Sequence, residues 1–168
     1  MRKDIVRTFV VYVEDKPGVL TRAASLFRRR AFNLESLNVG QTHRPGISRL
    51  TVVIEADEDT ARRIEANLYK LVTVLEVQEI THQARIEREL ALVKVRAAPE
   101  MRTEILQAIE VFGARVVDMA PTTMVVEISG SPDRIAGLKA LLDPYGIEEM
   151  VQTGSVAMTR GRTPTASY

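Results

Sequence analysis

Apolar residues alternate with polar ones, or run unbroken, through Thr8 to Val13, Leu34 to Val39, Leu50 to Glu55 and Val74 to Ile80, the spacing of half-buried strands. Between the first two, Val19, Leu20, Ala23, Leu26 and Phe27 recur at intervals of three and four, which predicts a helix. Ala61, Ile64, Leu68 and Leu71 predict another between the last two. The order βαββαβ is the ferredoxin-like plan, in which both helices cover one face of an antiparallel sheet. After a polar stretch at Thr81 to Arg88 the order returns. A strand is predicted at Leu90 to Arg96, a helix at Glu100 to Phe112, and strands at Arg115 to Met119 and Thr122 to Ser129. A helix at Asp133 to Leu142 and a single last strand from Ile147 to Met158 complete it. One offset of 82 positions, 17 to 99, lays Val11, Val13 and Pro17 on Val93, Val95 and Pro99, and with the repeated order this predicts a duplication. The expected fold class is α+β, two ferredoxin-like βαββαβ domains in tandem, at residues 1–81 and 86–160. The tail, 161–168, has too little apolar surface to pack.

The segment VEDKPGVL, Val13 to Leu20, carries the clearest candidate chemistry. Pro17 fixes its own φ and lacks a donor, so it suits a first helical position, while Gly18 has no Cβ to obstruct an approaching group. The amides of Gly18, Val19 and Leu20 are then expected to point outward unpaired, at a helix start that favours a carboxylate or phosphate by ~0.3–1 kcal/mol. Asp15 either caps those amides or, turned outward, accepts from a cation beside the same spot. Amide donors and a carboxylate close together match a zwitterion, of which a free amino acid is the simplest. Against this stands a plain reading in which Pro17-Gly18 shapes a turn and Asp15 caps a helix. Asn33, in FNLESLNVG, both donates and accepts, and is by itself more often a turn residue than a ligand contact. At the 82-residue offset Gly18 falls on Glu100, so the second copy lacks the seat.

Composition removes several function classes. With 23 Lys+Arg against 22 Asp+Glu the formal charge is +1, too little to hold nucleic acid or an anionic membrane by a general field. Zero cysteines exclude disulfides, thiolate nucleophiles and thiolate metal sites. The start MRKDIVRTF carries charge where a signal peptide needs an apolar core, and no run approaches the ~20 apolar residues of a membrane span, so the expected location is cytoplasmic. An enzyme needs acid-base pairs, an activated nucleophile or a metal cage. His43 and His82 lie in different segments without neighbouring ligands and are expected at exposed strand ends. The acidic run Glu55 to Thr60 sits where the second helix begins and suits its capping. An RNA-binding RRM shares the βαββαβ order, but its third strand stacks bases on aromatics, and here that strand reads SRLTVVIE. Arg28 to Arg30 fall at a helix end, where cations suit the dipole.

These residues resemble the ACT domain, an amino-acid-binding module of the same plan. DKPGVLTRAASLF, FNLESLNVG, GISRLTVV, LYKLVTVLEV, IERELALVKV and TGSVAMTRG together resemble the regulatory (small) subunit of acetolactate synthase, from about Val6 to Gly161. The resemblance implies a non-catalytic subunit that activates a separate thiamine-diphosphate-dependent catalytic subunit and makes it sensitive to a branched-chain amino acid, usually valine. Thiamine diphosphate, Mg and FAD are then expected only in that partner, with no cofactor or metal in this chain. It places the effector against Asp15, Gly18, Val19 and Leu20 of one subunit and near Asn33 and Leu34 of another, in a homodimer through the ACT domains. In a ferredoxin-like sheet the second strand is an edge, and two edges meeting about a two-fold axis give two equivalent pockets. The second domain is expected to contact and activate the catalytic subunit. A free-standing amino-acid sensor without an enzyme partner fits the loop equally well.

Overall fold

The computed structural model describes residues 4–29, 32 and 34–161. In the first unit β1 (Ile5–Glu14), β2 (Leu34–Gln41), β3 (Ile47–Ala56) and β4 (Val74–Glu79) form an antiparallel sheet in the order β2-β3-β1-β4. The apolar stripes of α1 (Val19–Arg29) and α2 (Glu58–Leu68) lie on one face of it, against Phe9, Val11, Leu50, Val52 and Ile54. Phe9, Phe27, Leu50, Ile54, Ile64 and Leu68 are each under 2% exposed. At ~1.5–3 kcal/mol per large apolar side chain, they are the main stabilisation of this core. The acidic run does cap the second helix: Asp57 Oδ1 accepts from the Thr60 amide at 2.8 Å, with Glu58 and Asp59 in the first turn. α2 ends at Leu68, so Leu71 lies beyond it.

The second unit repeats the plan. β5 (Arg85–Arg96), β6 (Arg115–Met119), β7 (Thr123–Gly130) and β8 (Ile147–Gln152) run in the order β6-β7-β5-β8. α3 (Arg102–Glu110), entered through a single 3-10 turn at Pro99–Met101, and α4 (Pro132–Leu142) bury Ile105, Ile109, Ile135 and Leu138 against Val93, Val95 and Val126. The duplication shows in the irregularities of the sheets. The β1/β4 register shifts between Tyr12 and Val13, and the β5/β8 register between Lys94 and Val95, 82 positions on. The β2/β3 register shifts between Leu34 and Ser36, and the β6/β7 register between Val116 and Asp118, again 82 positions on. A β-bulge inserts a residue and turns the strand locally, so two matching bulges mean that the backbone path itself recurs.

The last predicted strand is a correction. Residues 147–158 form two strands, β8 and β9 (Val156–Thr159), and the chain passes between the units at 153/154. The first unit comprises the residues up to Ile86 together with those from Gly154, and the second Glu87–Thr153, where a boundary at residue 160 was expected. The cause is visible in β1, whose Thr8 and Val10 are as buried as Phe9 and Val11. Its second face needs cover, and Ala157 supplies it, packed with Val10, Ile80 and Tyr12. Arg160 donates its amide to the Ala84 carbonyl at 2.8 Å, while the predicted tail beyond Gly161 lies outside the described residues. Among the described residues no helix is long and apolar enough to cross a membrane.

Candidate functional site

Lys16, Pro17, Gly18 and Val19 form a turn rather than the opening of the helix. The Val19 amide donates to the Lys16 carbonyl at 3.3 Å and Gly18 sits at φ +81°. Proline followed by a positive-φ glycine is the sequence a type II turn requires. Gly18 then serves as the cap position of α1, its carbonyl accepting from the Arg22 amide at 3.0 Å. This corrects two expectations: Pro17 precedes the helix instead of opening it, and the Val19 amide is occupied because the turn needs it. The amides of Gly18 and Leu20 have no acceptor among the described residues, and a Cβ built on Gly18 would meet nothing nearer than Arg22 Nη2 at 3.9 Å. The seat is open, but narrower by one donor than predicted.

Two side chains that the sequence did not single out shape it. Arg22 folds back so that Nη2 donates to the Pro17 carbonyl at 3.3 Å, which brings a full positive charge beside the free amides. Its position, four residues after Gly18 on one helix face, was the available signal. Asp15 does not cap α1: its carboxylate accepts from Gln41 Nε2 at 3.4 Å, and its amide donates to the Gly46 carbonyl at 2.8 Å. The loop is thereby tied to the β2–β3 hairpin, and a hollow of about 340 Å³ opens between Asp15 and residues 41–47. Val19 is turned into the core at 8% exposed, whereas Leu20 is half exposed. An anion seat, a nearby exposed carboxylate and an apolar side chain together suit a zwitterion with an apolar body.

Leu34 lies elsewhere. It opens the edge strand β2 opposite Ile54, which pairs with Arg7 near the start of β1, whereas the loop follows Glu14 at the other end. From Arg7 to Glu14, the end of β1, is seven residues, roughly 23 Å at about 3.3 Å per residue. Within one chain, then, Leu34 and Gly18 do not share a site; Asn33 lies outside the described residues. Antiparallel pairing of two β2 edges about a two-fold axis would set the start of one β2 beside the end of the other, where Gln41 holds Asp15. His43 and His82 are exposed, and among the described residues no three His, Cys, Asp or Glu side chains are grouped to hold a metal ion.

Residues 9–76, the βαββαβ unit with this turn at the head of its first helix, form an ACT domain: they match the family described as the AHAS small subunit-like ACT domain. Residues 88–161 match the family described as the small subunit of acetolactate synthase. The chain is 46% identical to the probable acetolactate synthase small subunit of Archaeoglobus fulgidus over 92% of this chain and 96% of that one. It is 42% identical to the acetolactate synthase small subunit of Mycolicibacterium smegmatis, over 92% and 91% of the two chains. The crystal structure of the acetolactate synthase small subunit from Thermotoga maritima superposes with a TM-score of 0.87 at 36% identity, covering 95% of this chain and 99% of that one. The chain belongs to the acetolactate synthase small-subunit family, the regulatory subunits of branched-chain amino acid biosynthesis.

Proposed function

We propose that this chain activates a separate acetolactate synthase catalytic subunit and makes it sensitive to feedback by a branched-chain amino acid, with valine as effector and the cytoplasm as place of action. In this reading the partner holds thiamine diphosphate, Mg and FAD and carries out the chemistry, while the residues of this chain sense. The carboxylate of the amino acid docks on the free amides of Gly18 and Leu20 beside Arg22, and its ammonium group faces Asp15. Leu34 and Asn33 of a second copy close the pocket over its side chain. The observation that carries the reading is the separation of Leu34 from the Pro17–Gly18 turn along one sheet, which calls for two chains per pocket and so links effector binding to an interface.

The second unit keeps the scaffold but has Glu100 where the first has Gly18, and its role is contact with the catalytic subunit. An effector inhibits only by binding one state of the complex better, and such coupling is typically ~1–3 kcal/mol. By linkage, the active catalytic subunit must weaken valine binding by the same factor that valine weakens activation. Calorimetric titration of L-valine into this chain, alone and with the partner, tests the proposal; equal affinities would remove the coupling. Co-purification from native cytosol separates it from a free-standing sensor, for which no thiamine-diphosphate enzyme is recovered.

A further inference from the structure

Within the first unit, the segment from Gly154 lies against the strand that carries Leu34. Gly154 is not among the positive-φ glycines, so its backbone conformation does not call for glycine. What calls for it is proximity: a Cβ there would lie 3.2 Å from both the carbonyl carbon and oxygen of Leu37 and 3.3 Å from Ser36 Cβ. The obstacle is main chain of β2, which cannot swing aside as a side-chain tip does. Ser155, 2% exposed, donates its amide to Ser36 Oγ at 3.3 Å. Farther on, Arg49 Nη2 donates to the Ala157 carbonyl, and its guanidinium lies 5.8 Å from the centre of the Tyr12 ring. The β2 bulge falls between Leu34 and Ser36, so the effector-facing start of the strand is one irregular residue from these contacts.

The residue before Gly154 is held just as firmly within its own unit. The Thr153 amide donates to the Leu90 carbonyl at 2.9 Å, and Thr153 Oγ1 accepts from the Leu90 amide at 3.0 Å. The residues flanking Gly154 are therefore each held within their own unit, Thr153 by β5 and Ser155 by β2. We propose that Gly154–Thr159 is the coupling segment of this subunit: Gly154 and Ser155 are positioning residues for β2, and through them occupancy of the effector site is passed to Thr153 and the second unit. The inference rests on the effector reading given above and goes beyond it by naming the element that carries the signal.

The test uses the full chain with its catalytic partner and L-valine. In wild type, valine is expected to change hydrogen exchange at the Ser155 amide, which β2 holds. Gly154→Ala is expected to raise the half-inhibitory valine concentration at least about five-fold, the lower bound of ordinary allosteric coupling, with activation in the absence of valine retained. Gly40→Ala is the control, since Gly40 is on the same strand with no atom within 4 Å of its built Cβ and no positive φ. Ser36→Ala removes the acceptor without adding bulk, and should shift the response in the same direction if Gly154→Ala fails to fold. Valine that binds wild type with measurable heat yet leaves exchange at Ser155 unchanged overturns the coupling role alone. So does wild-type inhibition of both variants. No heat with wild type overturns the effector reading itself, and this inference with it.

Discussion

Gly18→Asp places a carboxylate where the effector's own carboxylate is proposed to dock. Two such charges about 4 Å apart repel by ~1 kcal/mol in a water-like environment and by ~4 kcal/mol at an effective dielectric of 20. The turn is exposed, and Arg22 Nη2, 3.9 Å from the built Cβ, would partly neutralise the new charge. The working range is thus the lower part, ~1–3 kcal/mol, or 5- to 150-fold weaker binding. A second cost falls on folding, because at φ +81° a residue with a Cβ is disfavoured, by ~1–2 kcal/mol and less for Asp. Gly18→Ala shares that cost without the charge and separates the two. Thermal unfolding should show both variants lower by a few degrees, at ~2–4 °C per kcal/mol for a chain of this size. Inhibition assays of the reconstituted complex should show valine sensitivity lost in Gly18→Asp, with activation at zero valine preserved. Inhibition of Gly18→Asp at wild-type valine concentrations would show that the carboxylate binds elsewhere, and the reasoning from free amides would fail.

Other consequences follow from the packing. A fragment ending at Ile86 lacks the segment that covers Val10 and Ile80, so it should melt lower than the same fragment with residues 154–161 fused back by a flexible linker; equal midpoints would mean that the cover contributes nothing. Glu79→Gln removes the charged partner of Arg7, whose side chain is 8% exposed and whose Nη1 lies 2.6 Å from Glu79 Oε1. It should cost about 1.5–3 kcal/mol by chemical denaturation, the usual worth of a hydrogen bond to a charged group. Asp57→Ala uncaps α2 and should cost about 1 kcal/mol in the same measurement.

Much of this molecule is legible along the chain because its elements bury one face each. Period-two runs located every strand of the first sheet, and the stripe Val19, Ala23, Leu26, Phe27 located α1, since burial of that stripe is what makes the helix stable. The Pro-Gly pair marked the loop between β1 and α1, and its local geometry differed from expectation: whether proline opens a helix or occupies the second position of a turn depends on one hydrogen bond, Val19 to Lys16, that residue types do not specify. Which of its two readings Asp15 follows was beyond the sequence for a similar reason, its partner Gln41 being 26 positions away. The break at Gly154 was passed over because apolar residues recur on both sides of it, yet Val151 is out of phase with Val156 and Met158, and that loss of phase marks the change of strand. The unbroken apolar run Phe9 to Val13 is the trace in the sequence that was there to be used, since a strand apolar on both sides requires two covers.

Glu100 occupies, on a 3-10 turn behind Pro99, the place that Gly18 holds in the first unit. The second half of the chain has in effect already undergone the Gly18-to-acid exchange, and its carboxylate would turn away the ligand proposed for the first half. Saturation should therefore come at one amino acid per polypeptide, two per symmetric pair, and the steepness of the inhibition curve from one pair should not exceed a Hill coefficient of about 2.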